Sequence, residues 1–207
     1  MNIPINHKTI FLFDHSNYFS SNSNFKVDFD VPNKNKPSAA ANHQKLEPLN
    51  KSLWTCSIEA AFEFSRIVYD LFPESKLIRM VVTKFECALN SWNVADQGLD
   101  NLMSIIGNII PPMPQIRQLF EGEEFINLCK ALNIAVNSIA QISELQQRLS
   151  LEEQARKGSP KSIPNSGRII LFSSAKNRNL DQIQEFLNKA IEECNKNIEQ
   201  IMKNESM

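Results

Sequence analysis

The run Ile10-Phe11-Leu12-Phe13 breaks abruptly into Asp14-His15-Ser16. A short, unbroken apolar run is the pattern of a strand buried on both faces, as a central parallel strand is. Open α/β sheets bind ligands outside the carboxyl ends of such strands. Asp14 falls at that end, so one feature points both to a fold and to the place where a site would lie.

The rest of the chain supplies the partners such a strand needs. Phe25, Val27, Phe29 and Val31 alternate with charged residues, the period of a strand with one wet face at a sheet edge. The Pro-, Asn- and Lys-rich stretch 32–51 reads as a flexible loop. Ser52 is a candidate N-cap for a helix over 53–72, apolar on more than one face and ended by Pro73. A second buried strand is expected over 77–82, followed by a turn and a short strand over 87–92 that would make an antiparallel edge hairpin. A modest helix over 95–106, a break at Pro111, Pro112 and Pro114, and one long helix over 123–149 come next. The helical stripe of the last is Leu128, Leu132, Ala135, Ile139 and Ile142. The stretch 150–167 reads as a surface loop, 168–172 as a third buried strand, and the end as an amphipathic helix from Ile183 to Ile201. Strands alternating with helices predict a doubly wound, mostly parallel sheet covered on both faces. The chain stops after a helix, where a further strand is normally expected, so the fold reads as C-terminally incomplete.

With 207 residues and a net charge of −1, no global field draws this chain onto nucleic acid or an anionic membrane. No segment reads as a membrane span, and the polar N-terminus lacks the pattern of a secretory signal. The four cysteines are scattered without C-x-x-C spacing, as expected of free buried thiols in a reducing compartment. Lys34, Lys36, Lys45 and Lys51 have no interleaved aromatics, so direct RNA contact is not expected.

Several blocks carry a family likeness. They are 7–15 (HKTIFLFDH), 51–56 (KSLWTC), 66–73 (RIVYDLFP), 89–92 (LNSW) and 167–170 (GRII). In this order and spacing the sequence resembles the N-terminal region of the Asunder family, Integrator complex subunits with a von Willebrand factor type A domain. The Ser-Leu-Trp-Thr-Cys string is the most specific of them, and 111–165 matches only in character. The resemblance implies one type A-like domain over 1–207 and a non-enzymatic nuclear scaffold. It implies service to small nuclear RNA 3′-end processing and RNA polymerase II transcripts. Its partners would be other Integrator subunits, among them a sister type A subunit, with no membrane role. It also implies links to mitosis, gametogenesis and dynein localisation, and a perinuclear as well as a nuclear pool.

Type A domains often hold Mg²⁺ through D-x-S-x-S after the first strand, a later Thr and an Asp after the fourth strand. Mg²⁺ demands hard oxygen ligands in octahedral geometry. This chain offers Asp14 and Ser16, but Tyr18 at the third position, and Ser173-Ser174-Ala175 with no Asp after the later strand. Neither a metal nor any other cofactor is therefore expected, and Asp14 and Ser16 stand as degenerate candidates. A structural role is the favoured reading: Asp14 and Ser16 suit loop or helix-start capping, and His15 suits packing or capping. Asp14, His15, Tyr18, Trp54 and Trp92 are candidate partner-binding residues, with core packing the competing reading for both tryptophans. The alternative is a Mg²⁺-dependent phosphotransfer enzyme using Asp14 as nucleophile, with Lys84 or Lys176 as its cation.

Overall fold

In a computed structural model, residues 7–27, 30–31, 44–45, 48–73, 75–114, 121–157, 165–174 and 180–204 are described. Three parallel strands form the centre: β1 (Lys8–Phe13), β6 (Leu77–Val82) and β7 (Gly167–Phe172), in the order β6-β1-β7. Every residue of β1 and β6 is buried, among them the apolar runs Ile10–Phe13 and Met80–Val82 together with Lys8, Thr9 and Arg79. The small strands are β2 (Asn22–Val27), β3 (Asp30–Val31), β4 (Gln44–Lys45) and β5 (Leu49–Ser52). They form two separate antiparallel pairs, β2 with β5 and β3 with β4.

Helices cover both faces. Ser52 caps α1 (Leu53–Leu71) by accepting from the Thr55 N–H, as its sequence position predicts. With α2 (Leu99–Gly107), α1 covers the face carrying Phe11, Phe13, Ile78 and Met80. The opposite face, with Ile10, Leu12 and Val81, is covered by α3 (Glu121–Ala140) and α5 (Leu180–Asn204). A further helix, α4 (Glu144–Lys157), follows α3.

Several sequence expectations are corrected. The hairpin over 87–92 does not form; one isolated antiparallel bridge, Val81 to Ala88, is all the strand pairing there. The Asn90 side chain takes the role of a strand instead. Its Oδ1 accepts from the Met80 N–H at 2.9 Å and its Nδ2 donates to the Ile78 carbonyl at 2.9 Å. Gln97 Oε1 accepts the Ile78 N–H and the Leu89 N–H reaches the Met80 carbonyl, so the outer edge of β6 is closed by amide groups.

The end of the supposed loop 32–51 is strand β5, paired with β2; residues 32–43 and 46–47 lie outside the described residues. The long helix is two. Ser143 starts α4 with a reciprocal cap: its hydroxyl accepts from the Gln146 N–H, and Gln146 Oε1 accepts from the Ser143 N–H. Ile142 is thereby 64% exposed and leaves the stripe, and 150–157 belong to α4 and not to a loop. The helix over 95–106 is a 3-10 turn and then α2, separated by Gly98 at φ 141°, a conformation that favours glycine. The third strand is only half-buried, an edge where a core strand was expected. Of the cysteines, all free, Cys194 is buried, Cys56 and Cys129 are half-buried and Cys87 is exposed. The stretch from Glu123 is long and apolar enough to cross a bilayer by length and composition. Its helix α3 buries Leu128, Leu132 and Ala135 against the sheet, which is the work of a core helix.

Candidate functional site

The carboxyl end of the sheet gathers the residues that the sequence singles out. Strand β1 ends by delivering Asp14, 2% exposed, beside the end of β7, where the Asp14 N–H donates to the Phe172 carbonyl at 2.9 Å. The carboxylate is engaged on both oxygens. Oδ1 accepts from the Ser16 N–H at 3.1 Å, and Oδ2 accepts from the Ser173 hydroxyl at 2.9 Å. Asp14 thus closes its own loop and ties it to the loop after β7, the capping chemistry open to it from sequence.

His15 is held from three directions. Its N–H donates to Thr83 Oγ1 at 2.9 Å, its Nε2–H to the Ile110 carbonyl at 2.8 Å, and its ring meets Trp54 edge-on at 5.2 Å. Ser16 Oγ is buried and has no hydrogen-bond partner among the described residues. Asp14, Ser16, Thr83, Lys84 and Glu124 border a hollow of about 340 Å³, walled on one side by Ile110, Pro111, Pro112 and Met113. Ile110 and Met113 are 61% and 65% exposed, so the wall is an apolar lip facing solvent.

The residues present do not fit an octahedral Mg²⁺ set. Tyr18 borders a different groove, with Phe19 and Leu53, and presents its ring edge to Phe19. Ser173, standing where an acidic ligand is needed, hydrogen-bonds to Asp14. Among the described residues no group of three His, Cys, Asp or Glu side chains is placed to share an ion. Hard-cation sites rest on several charged oxygens, and the described residues of this rim bring only Asp14 and Glu124 to it.

The two tryptophans are corrected as partner contacts, because both are buried. Trp54 packs edge-on against Phe13 at 5.8 Å. Trp92 donates its Nε1–H to the Ser138 carbonyl at 2.7 Å and lies beneath the Lys8 ammonium and the Arg79 guanidinium. Asp14, His15 and Ser16 come together; Tyr18 is exposed on the neighbouring groove; Lys176 lies outside the described residues.

A second polar cluster, at the amino end of the sheet, escapes the sequence reading. Lys8, fully buried, donates to the Ile139 carbonyl at 3.0 Å, to Asn165 Oδ1 at 2.7 Å and to the Gln141 carbonyl. These acceptors lie at the negative end of α3, a natural seat for a cation. Arg79 donates to Gln141 Oε1 at 2.7 Å, and His7 bridges the Ser75 carbonyl and the Ser143 hydroxyl at 2.6 and 2.9 Å. Burial, then the neighbouring Arg79 cation, pulls the Lys8 ammonium down to about 8, and burial lowers His7 and Arg79 from their usual values. The one sequence signal was a His-Lys pair opening an otherwise apolar strand.

Comparison with known proteins places this chain in a family. The profile of the cell cycle and development regulator Mat89Bb family matches residues 3–206. Integrator complex subunit 13 of Xenopus tropicalis is 37% identical over 194 residues, covering 92% of this chain and 26% of the relative. The human Integrator complex subunit 13 is 34% identical, with 92% and 26% covered. Protein asunder of Drosophila virilis is 28% identical over 193 residues, with 90% and 27% covered. The chain thus spans about a quarter of the length of the curated relatives it matches. The near-complete profile match and these identities show the family: this chain belongs to the Mat89Bb family, whose relatives include Integrator complex subunit 13 and protein asunder.

Proposed function

We propose that these residues form a non-catalytic, type A-like interaction domain of an Integrator subunit, docking other subunits at the rim of its sheet. The observation that carries this reading is the rim itself. The buried Asp14 carboxylate is spent on internal hydrogen bonds, while Ile110 and Met113 stand exposed beside it. Apolar side chains held out around a small polar hollow suit protein recognition. The family relatives supply the setting, Integrator and the regulation of cell cycle and development. Within it the domain supports small nuclear RNA 3′-end processing and RNA polymerase II transcript regulation, together with mitosis, gametogenesis and dynein localisation. It acts in the nucleus and perinuclear cytoplasm and pairs with a sister type A subunit. The test is affinity purification from nuclear extract with intact protein and with a Met113→Glu variant. Named Integrator subunits should co-purify with the first and be depleted with the second. A folded wild-type protein that retains none of them contradicts the reading.

Lys84 beside Asp14 in one hollow is the specific observation behind a second reading, Mg²⁺-dependent phosphotransfer. Incubation with an acyl phosphate and Mg²⁺, followed by intact mass, separates the two. The interaction reading predicts an unchanged mass, and a stoichiometric phosphate on Asp14 establishes the enzyme.

A further inference from the structure

At the rim Asp14, His15 and Ser173 find hydrogen-bond partners within the chain, and the Ser16 hydroxyl finds none among the described residues. Ser16 is 6% exposed and borders the hollow. Its backbone is fixed there. The Ser16 N–H donates to Asp14 Oδ1 at 3.1 Å, and the Ser16 carbonyl accepts from the Phe19 N–H at 3.0 Å. The hydroxyl does not cap the 3-10 turn Asn17–Ser20 that starts after it. A hydroxyl held out of water and left unpaired bears its desolvation cost in full. A group that enters the hollow and bonds to it recovers that cost.

The charges around the hollow select that group. Asp14 and Glu124 bring two carboxylates to its lining, and Lys84, exposed at the border, brings one ammonium. With Asp14 buried, its charge is screened less than a surface charge is. An incoming carboxylate or phosphate meets this excess of like charge. A purely apolar side chain would cover Ser16 Oγ and leave it unpaired. A lysine or arginine head carries donors only, so it can donate to Ser16 Oγ while facing the two acids. Its aliphatic stem suits the lip, where Ile110 and Met113 stand exposed. At about 340 Å³ the hollow is at the small end of ligand sites, matched to a side chain and not to a folded element.

We infer that the rim hollow receives one basic side chain, a lysine or arginine, from another protein subunit, its head donating to Ser16 Oγ and its stem lying along Ile110 and Met113. This rests on the reading of the rim as a docking surface and names the chemistry that docks there. Three substitutions separate it from a structural role. Ser16→Ala removes a hydroxyl that the free chain does not use, so the melting temperature of the free chain should hold while subunit binding weakens about tenfold. Glu124→Lys should weaken binding by at least as much, and Lys84→Glu should strengthen it.

The experiment places a photo-reactive benzoylphenylalanine at Asn127, exposed on the border of the hollow, in the complex purified through this chain. Mass spectrometry maps the cross-link, and the subunit so identified is then titrated against the wild type and the three variants. The expected result is a cross-link within two residues of a lysine or arginine of another subunit, with affinity falling for Ser16→Ala and Glu124→Lys and rising for Lys84→Glu. A cross-link to a segment of another subunit that has no basic residue overturns the inference and leaves docking at the rim standing. So does the opposite sign for the two charge variants, which an acidic peptide or a nucleic-acid phosphate would give. A loss of melting temperature in free Ser16→Ala also overturns it, since the hydroxyl then serves the fold. No cross-link to any other subunit ends the docking reading itself, and the inference with it.

Discussion

Ser173 donates its hydroxyl to Asp14 Oδ2 at 2.9 Å, joining the ends of β7 and β1 across 159 residues of sequence. The acid that the sequence marks as a candidate ligand is thus a latch between two loops. Asp14→Ala removes a buried, charge-assisted pair of hydrogen bonds and should cost about 2 kcal/mol of unfolding free energy. Urea denaturation measures it. On the reading that the carboxylate serves the fold and not an ion, Mg²⁺ should leave the melting temperature of the intact chain unchanged.

Asn90 closes the β6 edge with two hydrogen bonds of one amide. Asn90→Ala leaves the Met80 N–H and the Ile78 carbonyl without that partner and should destabilise the protein by about 2 kcal/mol. Hydrogen exchange should show the Met80 amide opening before those of β1. Asn90→Asp, which keeps the acceptor and loses the donor, should fall between the two.

Ser143 holds the start of α4 and the His7 ring together. Ser143→Ala should cost about 1 kcal/mol through the lost cap, with the amides of the first turn of α4 exchanging fastest. Ser143→Thr, which keeps the hydroxyl, should restore most of it.

His7 and Lys8 make stability depend on pH in one direction. Both are bases lowered by burial, so the unfolded chain holds a proton that the folded chain releases. For Lys8 the window runs from about 8 to the ordinary 10.5, and its contribution rises with pH across it. For His7 the window lies below the ordinary 6.5, and stability falls as the pH drops through it. Denaturation midpoints of the wild type and His7→Asn between pH 7 and 5 should diverge, with the variant giving the flatter profile. Lys8→Met should flatten the profile between pH 8 and 10.5 in the same way.

Those residues also mark the reach of the sequence. Strands β1 and β6, helix α1 and its Ser52 cap were legible because contiguous apolar runs, helical periodicity and a cap are local signals. The break between α3 and α4 carries neither Pro nor Gly; only Ser143 with Gln146 three residues on could have announced it. The false hairpin at 87–92 arose because Asn90 does with a side chain what a strand does with its backbone, and sequence period cannot separate the two. At the rim, the position of Asp14 and Ser16 followed from the end of β1. The bonds from Ser173 to Asp14 and from His15 to Thr83 join distant segments and were invisible. Trp54 and Trp92 look alike in sequence as anchor or hot spot, and burial alone decides for the core.

The rim as a protein-docking surface is tested most directly by lysine cross-linking of the assembled complex purified through this chain. Lys84 borders the polar hollow and is exposed, whereas Lys189 lies exposed on α5, away from the rim. Mass spectrometry should find Lys84 linked to another Integrator subunit, and that link should disappear with Met113→Glu while links from Lys189 persist. An assembled complex in which Lys84 links only within its own chain would contradict docking at the rim.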